Sequence, residues 1–160
     1  MMRRNALLMV VLAATAATLA HTADRGEAKA TVAGKTIAID YGRPNLKGRD
    51  MLAQAEVGKP WRLGADAATT LKTAADLKFG DLAVPKGDYV LTATKTAEGQ
   101  WQLDFAMGPD QKAVGSAPLT SQKLEGSVEM FTIELSGKGN DGEFQMKWGP
   151  TALKTAFTGK

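Results

Sequence analysis

The chain has no cysteine, one histidine and only 6% aromatic residues among its 160 positions. Without cysteine there are no disulfides, thiolate nucleophiles, iron–sulfur clusters or cysteine-based zinc sites. With His21 as the sole imidazole there is no Ser-His-Asp triad, no Cys-His pair and no histidine-rich metal site. His21 itself reads as a residue at the boundary of a leader. Base catalysis near neutral pH would fall to a carboxylate or a lysine of shifted pKa. No Walker A loop, no G-x-G-x-x-G after a strand, no H-E-x-x-H and no G-x-S-x-G occurs. Internal repeats and low-complexity tracts are absent too. What remains is an ordinary globular composition, 44% hydrophobic and 23% charged. That balance excludes whole-chain disorder, and the length fits one domain.

The start of the chain reads as an address. Met1-Met2-Arg3-Arg4 is a short basic segment, Ala6 to Ala14 is an unbroken apolar run, and Thr18-Leu19-Ala20 offers small residues at a cleavage site. These are the three parts of a secretory signal peptide over residues 1–20. The apolar stretch is shorter than the ~20 residues of a membrane span. Cleavage is expected after Ala20, with Ala17 and Ala23 as alternatives. The mature chain would be periplasmic or secreted, with no transmembrane segment. Losing Arg3 and Arg4 lowers the formal charge from +3 to +1, so the sequence pI of 9.2 partly reflects the leader. A nearly neutral protein lacks the concentrated basic field of a nucleic-acid binder, and no nucleic-acid partner is expected.

Residues 21–28 are polar and read as a flexible N-terminal segment. From 29 to 160 the pattern is that of strands. Ile37, Ile39 and Tyr41 alternate with polar or small residues, as do Trp101, Leu103 and Phe105, Phe131, Ile133 and Leu135, and Phe144, Met146 and Trp148. Turn signals such as Ala33-Gly34, Pro85-Lys86-Gly87-Asp88, Glu98-Gly99 and Gly137–Gly142 separate them. Gly149-Pro150 reads as a strand break. No segment carries a sustained 3.6-residue apolar stripe. The expected fold is all-β, an antiparallel β-sandwich or flattened barrel of about eight to ten short strands in a single domain.

One region breaks the alternation. Residues 42–60 read as a long structured loop, with a short helical turn over Met51–Val57, and so long a loop is uncommon in a compact domain unless it has a task. Five basic residues (Arg43, Lys47, Arg49, Lys59, Arg62) stand against two acidic ones (Asp50, Glu56) within residues 43–62. Arginine suits bidentate recognition of carboxylate or phosphate, and Trp61 offers a flat apolar surface. The candidate ligand-binding residues are therefore Tyr41, Arg43, Lys47, Arg49, Trp61, Arg62 and Asp66. The competing reading is structural: Arg43, Arg49 or Arg62 pairs with Asp66 or Asp50, while Tyr41 and Trp61 are core lids. Glu125, Glu129 and Glu134 read as a solvated sheet face, and Asp110, Asn140, Asp141 and Glu143 as turn residues. No metal, cofactor or catalytic residue is assigned.

At these residues a resemblance enters. Tyr-Gly-Arg-Pro-x-x-Lys-Gly-Arg (41–49), Trp-Arg-x-Gly-Ala-Asp-x-Ala-Thr (61–69) and Val-Pro-x-Gly-x-Tyr (84–89) are similar to the bacterial secreted domain of unknown function 2911 family. Trp101 and the strand ending at Trp148 are similar as well, so the likeness spans roughly residues 35–158. It implies an exported envelope protein with no established activity. The family pattern reads Gly-Ala-Asn-Glu where this chain has Gly64-Ala65-Asp66-Ala67. A glutamate absent here cannot be catalytic, which weakens any hydrolase built on paired carboxylates.

Three functions compete. The scarcity of acid–base groups favours a non-enzymatic β-sandwich that binds an anionic small molecule, a saccharide or another envelope protein. The alternatives are an assembly module pairing through strand edges, and a hydrolase acting on a saccharide or phosphorylated substrate through Asp66.

Overall fold

The computed structural model describes residues 24–160. The expected leader and its cleavage point lie outside the described residues. Ten strands follow in chain order: β1 (Asp24–Val32), β2 (Lys35–Arg43), β3 (Pro60–Trp61), β4 (Thr69–Thr73), β5 (Leu77–Phe79), β6 (Leu82–Val84), β7 (Gly87–Ala97), β8 (Gln100–Met107), β9 (Lys112–Lys138) and β10 (Asp141–Gly159). All pair antiparallel, in the order β1-β2-β4-β7-β8-β9-β10-β5-β6, with β3 beside β7. The sheet does not close on itself, and it folds over in a sandwich-like manner. The hinge is β9: residues 112–119 pair with β8, and residues from Thr120 onward pair with β10. The fold is all-β, as the alternation indicates. Among the described residues no helix is long and apolar enough to cross a membrane.

Two expectations need correction. Within the segment 21–28 a strand already begins at Asp24, where β1 is paired from Asp24 opposite Arg43 to Val32 opposite Lys35. Backbone hydrogen bonds need no apolar side chains, and β1 is an end strand whose polar side chains stay exposed. The last strands are also not short. β9 joins the two separate strands expected over Pro118–Leu124 and Val128–Leu135, and β10 runs straight through Gly149-Pro150. Gly149 takes a positive φ of 60°, and the β9–β10 register shifts on either side of it. The glycine is absorbed as a bulge, which bends a strand without ending it.

Inward alternation builds one core. Ile37, Leu71, Leu91, Leu103 and Phe144 line it, all buried. At one end Phe79 packs against Phe105 and Phe157, with both pairs of centroids 4.9 Å apart. The Val-Pro-x-Gly-x-Tyr segment closes a turn of its own: the Tyr89 hydroxyl donates to the Pro85 carbonyl, and the Asp76 carboxylate accepts from the Lys86 amide.

Burial raises the Tyr89 pKa above its ordinary value, and the nearby Asp76 carboxylate adds to the shift. A phenol whose folded pKa is raised stabilises the fold fully below pH ~10, and that contribution is lost as pH climbs through the folded value. We expect urea-unfolding stability to fall above that pH in wild type and to fall less steeply in Tyr89→Phe. Identical alkaline slopes would remove Tyr89 as the cause.

Candidate functional site

The long loop caps the opposite end of the sandwich from Phe79. Its first part docks on β9. The Leu46 amide donates to the Glu129 carbonyl, the Phe131 amide donates to the Pro44 carbonyl, and Asn45 forms a bridge with Met130. Glu129 does more than cover a sheet face, since its carboxylate accepts from the Lys47 amide at 3.0 Å. The expected helical turn is a single turn opened by Asp50, whose carboxylate accepts from the Ala53 amide and whose carbonyl accepts from the Gln54 amide. Leu46 and Leu52 plug this cap into the core.

The second part of the loop rests on β7. The Gly58 amide donates to the Lys95 carbonyl. The Lys95 ammonium, on a side chain only 3% exposed, pairs with Glu98 at 2.9 Å and reaches the Ala53 carbonyl at 3.4 Å. Pro60 and Trp61 then pair with Thr94 and Ala93, continuing along β7 beyond the stretch that β4 occupies.

Among the described residues, 62–68 hold two of the five non-glycine residues with positive φ. Leu63, Gly64 and Asp66 have φ of 56°, 144° and 62°. A buried leucine in the left-handed region is uncommon, and such strain persists only where surroundings over-determine it. Here the Leu63 side chain is fully buried and its carbonyl accepts from the Thr69 hydroxyl at 2.6 Å. From outside, Arg25 donates to the carbonyls of Ala65 and Ala67 while pairing with Asp40. The two sequence motifs also meet here, because Gly42 lies directly against the backbone of Ala65.

The structure separates the seven candidates. Arg43, Lys47, Arg49 and Asp66 line one concavity of about 630 Å³, together with Asp24, Met51 and Trp148. Trp61 lines an adjoining cleft of about 300 Å³ whose walls include Met51, Ala55, Trp101 and Trp148. Arg43 is half-buried, its guanidinium donating to the Phe131 carbonyl and the Thr132 hydroxyl. Tyr41 is 3% exposed, with its hydroxyl donating to the Ile133 carbonyl and its ring edge-on to Phe131. It lies beneath the site and lines neither concavity. Arg62 also lies outside both, and donates to the Asp66 carbonyl at 2.7 Å within its own loop.

Arg62 is exposed and makes a local contact, so we expect Arg62→Ala to cost no more than about 1 kcal/mol in urea unfolding. A loss of several kcal/mol would mean that Arg62 pins the loop.

Sequence reading missed Trp101 and Trp148 as site residues. Both alternate inward on strands, and periodicity says which face a residue takes but not which end of the sandwich it reaches. Trp61 stacks on Trp148 at 5.6 Å, with 14° between planes, and meets Phe131 edge-on at 5.3 Å. The Trp148 indole N–H donates to the Glu129 carbonyl at 3.2 Å. All three tryptophans of the chain thus converge on one cleft. Among the described residues no group of three or more His, Asp or Glu is placed to hold a metal ion.

The family described as "Protein of unknown function (DUF2911)" matches residues 23–157. No curated protein and no solved structure matches the chain.

Proposed function

The chain belongs to the DUF2911 family, and from that premise we propose that it is a non-enzymatic protein that binds a small anion-bearing molecule at the capped end of the sandwich. The observation that supports this reading most is the concavity shared by Arg43, Lys47 and Arg49. These three cations come from a seven-residue stretch, and a guanidinium can hold a carboxylate or phosphate through two parallel hydrogen bonds. Asp24 and Asp66 border the same space and would favour ligands that also carry donors. Strain in the flanking loop fits a surface selected for geometry at some cost in stability. The Met1–Ala20 pattern supports export, so this reading places the protein in the periplasm or outside the cell. The N-terminal mass of the protein recovered from its host would test that placement.

Lys47 and Arg49 are exposed and make the cleanest test. Calorimetry at low salt with inorganic phosphate and with acetate should show millimolar binding, weakened about tenfold or more in Lys47→Ala/Arg49→Ala. Screening by salt should weaken it further. If wild type binds neither anion, or the double variant binds equally well, this reading falls.

A further inference from the structure

We infer that the ligand is an anionic amphiphile: one molecule whose carboxylate or phosphate sits by Lys47 and Arg49 while its apolar body enters the tryptophan cleft. This rests on the anion-binding reading above and goes further by naming the rest of the molecule. The polar concavity and the tryptophan cleft are not separate features. Met51 and Trp148 line both, so a ligand held by the cations has an apolar wall already at hand. Beyond that wall lie Leu52, Ala55, Pro60, Trp61 and Trp101.

The cleft suits an alkyl chain or aryl ring better than a sugar. A sugar needs an open aromatic face and polar groups able to exchange water for its hydroxyls. Trp101 and Trp148 are only 6% and 4% exposed, and one face of Trp61 is already stacked on Trp148. At the rim, Lys59 and Glu56 are paired with each other at 3.2 Å, which leaves Gln54 as the one other polar side chain of the lining besides the tryptophans. A volume of about 300 Å³ stands at the small end of ligand pockets, which fits a short chain or a single ring. Each methylene that leaves water should tighten binding about fourfold.

The test compares octyl phosphate, kept below its micelle threshold, with inorganic phosphate and octanol. Octyl phosphate should bind at least a hundredfold more tightly than inorganic phosphate, and should change tryptophan emission where inorganic phosphate does not. Ala55→Trp, which fills the cleft from its half-buried wall, should remove that advantage and leave phosphate binding intact. Lys47→Ala/Arg49→Ala should weaken octyl phosphate and leave octanol unchanged. If inorganic phosphate binds and the octyl chain adds nothing, or Ala55→Trp costs nothing, the amphiphile is overturned while anion binding stands. If neither phosphate binds, both readings fall. A last arm uses vesicles of phosphatidylglycerol. Cosedimentation with vesicles without binding of monomeric octyl phosphate would mean a membrane surface is recognised, and would overturn a single bound molecule.

Discussion

Phe131→Ala is expected to cost about 3–5 kcal/mol, among the largest effects available to a single substitution in this chain. Phe131 is fully buried on β9, under the cap. Its ring meets Tyr41, Trp61 and Trp148 at centroid distances of 5.7, 5.3 and 5.5 Å. Its backbone holds the loop as well, since the amide donates to Pro44 and the carbonyl accepts from Arg43. The backbone bonds survive truncation, but three aromatic neighbours lose the ring they rest on, and two of them are the walls of the cleft. Urea unfolding should show a lower midpoint with little change in slope. A cost below about 1.5 kcal/mol would mean that the cap collapses into the space, contrary to close packing of the four rings.

This substitution also joins stability to function. Trp61 sits on a two-residue strand and has Phe131 and Trp148 as its aromatic supports. With Phe131 gone, Trp61 loses one of the two. Affinity for any apolar ligand group should then fall at denaturant-free conditions where the variant remains folded. Anion binding through Lys47 and Arg49 should fall less, because both side chains lie on the exposed part of the loop.

The strands were legible because their side chains obey a period of two over long stretches, and burial enforces it. Tyr89, Leu91 and Ala93 on β7 show this, as do Trp101, Leu103 and Phe105 on β8. The long loop was legible for the opposite reason, since it has no period and is rich in glycine, proline and arginine. The start of β1 was not legible, because backbone pairing at an end strand leaves no mark on side-chain pattern. Nor was the bulge at Gly149, since glycine signals a turn and a bulge alike until the partner strand is known. The site was half legible. Charge density pointed to Arg43, Lys47 and Arg49, which do share a concavity. The tryptophan cleft depends on contacts between residues as far apart as Trp61 and Trp148, set by how β9 carries the sheet from one layer to the other.

Why the Tyr-Gly-Arg-Pro and Gly-Ala-Asp segments go together becomes clear at Gly42, and Gly42→Ala should expose it. A methyl group there would stand 2.0 Å from the Ala65 carbonyl oxygen and 2.8 Å from its carbon and nitrogen. Gly64 makes the reciprocal approach, its Cβ position lying 2.8 Å from the Gly42 carbonyl oxygen. The obstacle is backbone, so no rotamer change relieves it, and the strained 62–68 turn must lift off β2. Overpacking of this kind costs about 3 kcal/mol. Gly48→Ala is the informative control. Gly48 has φ of 78° with nothing within 4 Å of an added methyl, so it tests left-handed strain alone, at about 1 kcal/mol. Gly42 has no such φ to lose, so its cost would come from contact alone. Lifting the turn also moves Asp66 and the rim of the basic concavity, so phosphate affinity should drop with stability in Gly42→Ala. In Gly48→Ala the turn stays seated on β2. If the two variants unfold at the same urea concentration, the two segments are not clamped together, and the pairing of the motifs needs another cause.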